Sequence, residues 1–147
     1  MKIDKKFYNQ RGYLVLEDAI SKSQLKKLKL NANQMIRDFK NGIDRRQSTN
    51  NVRRKHKDIS KNGKIFFGNQ CEYYSHINSY AKGKFLKEIA KQILGKKIYL
   101  FNEQLVNKSP NTPSSFSWHQ DSGYIHFNHK PYLSIWLALT DTNLNNG

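Results

Sequence analysis

Phe116-Ser117-Trp118-His119-Gln120-Asp121-Ser122-Gly123-Tyr124 is the stretch that decides the reading, because it sets a histidine and an aspartate two residues apart. On an extended segment, residues i and i+2 point to the same face. An imidazole nitrogen of His119 and a carboxylate oxygen of Asp121 can therefore converge on one ion. A third ligand, a histidine from a distant strand, would complete a 2-His-1-carboxylate facial triad. Such a triad holds Fe(II) on one face and leaves positions open for a cosubstrate and O₂. In a chain with five histidines the pair alone is weak, and a turn-capping His beside a solvated Asp is the plainer reading of these two residues.

Working outward, Pro110 and Pro113 break the chain upstream of the pair, and Ile98–Asn107 before them reads as a strand. Downstream, Tyr132–Thr140 alternates loosely, carries Trp136 and reads as another strand. Toward the N-terminus, Lys84–Leu94 has helical spacing of Phe85, Leu86, Ile89, Ile93 and Leu94, with Gly95 as its stop. Residues 41–63 show no period of either kind and form a polar loop or lid. Before them, Ser21 suits the N-cap of a helix in which Leu25, Leu28, Ala32, Met35, Ile36 and Phe39 make one apolar stripe, ending near Gly42. Tyr13–Leu16 reads as a short strand, and Asp4 caps a short helix that stops at Gly12. No internal repeat is visible.

Composition limits the classes. A chain of 147 residues is one domain's worth, and 12% aromatics argue for a packed core despite a hydrophobic fraction of only 37%. Lys and Arg number 26 against 11 Asp and Glu, a formal charge of +15, a field that attracts polyanions. Lysine is nevertheless scattered along nearly the whole chain with abundant Asn and Ile, the pattern of an AT-rich coding sequence. The single cysteine, Cys71, excludes an internal disulfide and points to a reducing compartment. Met1–Lys6 lacks the apolar stretch of a signal peptide, and no apolar run approaches the roughly 20 residues that span a bilayer. The expected location is cytoplasmic, without a membrane partner.

Lys108-Ser109-Pro110, the Trp118-His119-Gln120-Asp121 segment, Leu133-Ser134-Ile135-Trp136-Leu137-Ala138-Leu139 and the closing Asn146-Gly147 follow one another in the order found in the phytanoyl-CoA dioxygenase family, which the chain resembles. The opening Phe7…Gly12-Tyr13-Leu14-Val15 and the helix after it extend the likeness from about Phe7 to Gly147, although its specificity rests on Lys108–Gly147. The resemblance implies an α+β fold, a double-stranded β-helix (a cupin-like jelly roll) with packed N-terminal helices, as a single domain over 1–147. It implies Fe(II) held by His119 and Asp121, 2-oxoglutarate as cosubstrate and O₂ as oxidant. The reaction would release succinate and CO₂ while hydroxylating a small organic molecule.

Trp136 falls where the family has a Trp near 2-oxoglutarate, Gln104 where it has a cosubstrate contact, and Gln120 lies between the two ligands. Core packing or a plain surface position is the competing reading of all three. The lysine that some members contribute upstream lands near Phe67 by ungapped count, with Lys64 close by. The family's distal His ligand and its 2-oxoglutarate-binding Arg follow the Asn-Gly turn, so the chain is expected to be C-terminally incomplete and inactive as it stands. His126 and His129 lie in the connecting loop and are not taken as the third ligand.

Two alternatives stay open on the residues themselves. One is a nucleic-acid-binding module built on Arg45-Arg46 and Arg53-Arg54-Lys55 near aromatics such as Phe66, Phe67, Tyr73 and Tyr74, although no recognised nucleic-acid motif accompanies the charge. The other is an inactive remnant of the oxygenase. Neither the substrate nor the oligomeric state is legible.

Overall fold

The computed structural model of the chain describes residues 1–43, 64–108, 117–130 and 132–145. Asp4 accepts the Phe7 amide at 2.8 Å and so caps helix α1 (Lys5–Arg11). That helix stops at Gly12, whose φ of 78° is the left-handed conformation that glycine adopts without strain. Ser21 opens helix α2 (Lys22–Lys40) with a reciprocal capping box: its hydroxyl accepts the Gln24 amide at 3.2 Å, and its own amide donates to Gln24 Oε1 at 3.0 Å. Both helices, and the helix at Lys84–Leu94, lie where the periodicity puts them.

Strand β1 (Lys64–Gly68) pairs antiparallel with β2 (Gln104–Lys108), with Lys64 opposite Lys108, Phe66 opposite Val106 and Gly68 opposite Gln104. Between them run α3 (Ser75–Ala81) and α4 (Lys84–Leu94). The apolar stripe of α2 covers one face of this sheet. Met35, Phe39, Phe67 and Tyr74 form the core cluster, with Ile36, Ile65, Ile77 and Leu105 packed against it. Met35 is only 1% exposed, and Phe39 meets Phe67 edge to face at 6.0 Å. Because Ile65, Phe67 and Leu105 turn toward α2, strand alternation puts Phe66, Gln104, Val106 and Lys108 on the opposite face.

Three polar groups hold these elements in register. The Asp38 carboxylate, buried near the end of α2, accepts the Tyr74 hydroxyl at 2.8 Å and the Gln34 side-chain amide at 2.6 Å. Asn31 Oδ1 accepts the backbone amides of His76 (2.9 Å) and Ile77 (3.3 Å), so a side chain of α2 caps the start of α3. Glu103 Oε1 accepts the amides of Gln70 and, at 2.8 Å, Cys71, while its carbonyl accepts Asn69 N–H at 2.9 Å. The residue just before β2 thus anchors the turn just after β1.

The outcome differs from expectation at several places. The strand expected over Ile98–Asn107 is regular only from Gln104. Asn69, at φ 55°, turns β1 away, so residues 98–103 have no partner strand among the described residues, and Tyr99 is 91% exposed. Tyr13–Leu16 and Tyr132–Thr140 are irregular for the same reason: β-propensity without a neighbouring strand makes no ladder. In the opposite direction, β1 and α3 form where no element was expected. The jelly roll is represented among the described residues by a two-stranded sheet with helices on one face, and no closed barrel is present there. Within the polar stretch 41–63, Asn41 caps α2 and Gly42 takes a φ of 82°, and the remainder lies outside the described residues. Among the described residues no helix is long and apolar enough to cross a membrane.

Replacing Glu103 with Ala leaves the Gln70 and Cys71 amides without their acceptor. We expect a loss of about 1–3 kcal/mol, measured by urea denaturation. A variant within a few tenths of the parent would mean that water serves these amides equally well.

Burial, and then the adjacent Glu103 carboxylate, push the Cys71 thiol up from 9.0 to about 11, while Lys82 pulls slightly the other way. A folded-state pKa raised above the unfolded value gives stability that is complete below pH 9 and disappears as pH rises toward 11. Unfolding titrations between pH 8 and 11 should show this decline in the parent and a shallower one in Cys71→Ala. Parallel slopes in the two proteins would contradict it.

Candidate metal centre

His119 and Asp121 sit on either side of Gln120, whose backbone is extended at φ −112° and ψ 134°; Asp121 then opens a single 3₁₀ turn, Asp121–Tyr124. One extended residue between two side chains puts them on the same side. His119 Nε2 and Asp121 Oδ1 lie 3.5 Å apart. Ligand atoms about 2.1 Å from an octahedral ion and on adjacent vertices are separated by about 3 Å, so a small rotation of either side chain would seat both on one metal.

The remaining polar atoms of the pair are already engaged. His119 Nδ1 lies 2.6 Å from the Ser117 carbonyl oxygen. A carbonyl only accepts, so Nδ1 is the donor in that bond, and Nε2 is the ring nitrogen that faces Asp121. Metal-binding histidines are oriented in this way, by a hydrogen bond from the other ring nitrogen. Asp121 Oδ2 accepts the Ser134 hydroxyl at 2.6 Å, which leaves Oδ1 turned to His119. Both side chains remain open to solvent, at 36% for His119 and 55% for Asp121. The donor set, one imidazole nitrogen and one carboxylate oxygen, suits a divalent ion of Fe(II) type.

Tyr132, whose phenol feels the charge of Asp121, belongs to an aromatic cluster. The Tyr132 ring lies 5.7 Å from that of His129 and 6.2 Å from that of Phe101, and His129 meets Phe127 at 6.4 Å. The Tyr132 phenol is held above its ordinary value, first by loss of solvent and second by the negative charge of Asp121. This cluster, with Ser134, was not singled out from the sequence. Its members are spread over residues 101–134, and nothing in local spacing marks them as neighbours.

The other expected site residues are more dispersed. Gln104 begins β2, on the sheet face turned away from α2, and is exposed. Gln120 is exposed beside the pair, and Trp136 is 77% exposed in an irregular segment. Phe67, the position reached by counting to the family's upstream lysine, is buried in the core and cannot serve that role, whereas Lys64 pairs with Lys108 at the opposite end of the strand pair from Gln104. Among the described residues no group of three His, Cys, Asp or Glu side chains is placed to share an ion, and His126 and His129 do not join the pair. Ser109, Pro110, Pro113 and the Arg45–Lys55 basic cluster lie outside the described residues.

The family model for phytanoyl-CoA dioxygenase (PhyH) matches residues 8–147. The chain belongs to the phytanoyl-CoA dioxygenase family. That family is typified by Fe(II)- and 2-oxoglutarate-dependent oxygenases on a cupin-like fold, which accords with helices packed on one face of an antiparallel sheet. No match was found among curated proteins or among solved structures.

For this phytanoyl-CoA dioxygenase family member the ring geometry makes a direct prediction. Long-range ¹⁵N–¹H NMR spectra at pH above 8 should give His119 the pattern of an Nδ1-protonated imidazole. An Nε2-protonated pattern would mean that the lone pair faces Ser117, and that the ring is turned wrongly for a metal next to Asp121.

Proposed function

We propose that the chain carries the iron-binding element of an Fe(II)- and 2-oxoglutarate-dependent dioxygenase that hydroxylates a small organic metabolite. The observation that carries this reading is the 3.5 Å approach of His119 Nε2 to Asp121 Oδ1, with Nδ1 and Oδ2 each engaged elsewhere. Family membership supports the reaction class.

His119 and Asp121 supply two of the three protein ligands of a facial triad. Bound Fe(II) would supply the redox chemistry that couples decarboxylation of 2-oxoglutarate, with O₂, to substrate hydroxylation, yielding succinate and CO₂. The protein's part is orientation. The Ser117 carbonyl keeps the His119 proton on Nδ1 so that no proton has to leave Nε2 when metal binds. The single negative charge of Asp121 offsets part of the ion's charge and favours a divalent over a monovalent cation. Gln104, Gln120 and Trp136 are proposed to contact the cosubstrate: the two amides can bond its carboxylate oxygens, and the Trp136 ring can cover it from water.

Addition of Mn(II) to ¹⁵N-labelled protein should broaden the signals of His119, Asp121 and their neighbours before any others. His119→Ala and Asp121→Ala should each abolish that selectivity. In Fe(II)-loaded protein containing the complete site, succinate release should require both 2-oxoglutarate and O₂ and fall at least about a hundredfold in either variant, as for loss of a principal transition-state contact. Uniform broadening along the scattered lysine-rich surface, unchanged in both variants, would remove the assignment.

A further inference from the structure

Asp121 is more than half exposed and stands at the head of a single 3₁₀ turn. A carboxylate in that position ordinarily rotates freely, and ordering it costs side-chain entropy. Here one oxygen is tethered. Ser134 Oγ donates to Oδ2 at 2.6 Å from thirteen residues along the chain. That distance falls within the short range of about 2.5–2.7 Å expected when a hydroxyl donates to an ionised carboxylate.

We infer that Ser134 is a positioning residue for the metal site, fixing Asp121 as a one-oxygen ligand by occupying its second oxygen. The inference rests on the reading of His119 and Asp121 as ligands and adds what makes Asp121 effective. With Oδ2 bonded to the hydroxyl, Oδ1 alone faces His119 Nε2. A carboxylate free to chelate through both oxygens would take up two positions on the ion and close one that cosubstrate or O₂ needs. The chemistry of the tether matters as well. A lysine or arginine would neutralise the carboxylate and weaken its hold on a cation. A neutral hydroxyl orients the group and leaves its full negative charge for the metal.

Ser134 is exposed and lies outside the core cluster, so its replacement should leave folding intact; circular dichroism checks this. The test is Co(II) titration of the full chain, followed by visible absorption and by the His119 ring signals. Ser134→Ala should weaken Co(II) binding about tenfold, the low end of the effect of losing an orienting partner, and should change the absorption intensity as the carboxylate swings to two-oxygen coordination. Ser134→Thr keeps the hydroxyl and should restore both affinity and spectrum, whereas Ser134→Val, which has the same shape without the hydroxyl, should behave like Ser134→Ala. Equal affinity and spectrum in parent, Ala and Val proteins would overturn the positioning role while leaving the two ligands in place. Equal loss in Thr and Val would also overturn it, since shape rather than the hydroxyl would then be responsible. Absence of any Co(II) effect on His119 in the parent would overturn the ligand assignment itself, and this inference with it.

Discussion

Two strands of five residues do not hold together in water, and the arrangement depends on Met35 and Phe39 of α2 covering one face of the β1–β2 pair. Burying Met35 and Phe39 against Phe67 and Tyr74 contributes on the order of 1.5–3 kcal/mol for each side chain removed from water. This packing also gives the sheet a direction. Once Ile65, Phe67 and Leu105 face the helix, the two-residue period of the strands requires Phe66, Gln104, Val106 and Lys108 to face the other way. The side bearing Gln104 is therefore chosen by the apolar stripe of a helix more than sixty residues earlier in the chain.

Polar groups then refine what apolar burial only roughly aligns. Asp38 is a buried carboxylate that is tolerable because Tyr74 and Gln34 both donate to it. The Tyr74 bond ties α2 to the residue that opens α3, and Asn31 adds a second tie through the His76 and Ile77 amides. Glu103 does the same between the turn after β1 and the residue before β2. Each is a side chain satisfying backbone or hydroxyl groups across a long sequence separation. Each therefore constrains tertiary structure more than it adds net stability.

At the candidate metal site the same economy of parts recurs. Two residues around one extended position bring a nitrogen and an oxygen to 3.5 Å, and each is oriented by one further hydrogen bond. One orienting group, the Ser117 carbonyl, lies in the same local segment. The other, Ser134, comes from the stretch after the 3₁₀ turn, together with Tyr132, whose phenol feels the charge of Asp121. Both side chains of the pair remain open to solvent, so its chemistry is set by hydrogen bonds more than by burial.

Helices α1, α2 and α4 were legible because their information is local. Asp4 with Gly12, Ser21 with Gln24, and the three-and-four spacing of the α2 stripe are all contained within the elements they define. The His119-Gln120-Asp121 pair was legible for the same reason, since an i, i+2 relation needs only one extended residue between its members. The strands were not, because a strand exists only with a partner. Ile98–Glu103 and Tyr132–Thr140 have suitable composition and no ladder, while Lys64–Gly68 becomes β1 because Gln104–Lys108 lies alongside. Helix α3 escaped notice because its cap is supplied by Asn31 from another helix, and Ser134 because its partner Asp121 is thirteen residues away. Sequence by itself determined where α1, α2 and α4 start and stop and that His119 and Asp121 fall on either side of one residue; tertiary structure alone decided strand pairing, helix α3, the outward face of Gln104 and the tether on Asp121, since each depends on groups that only folding brings into contact.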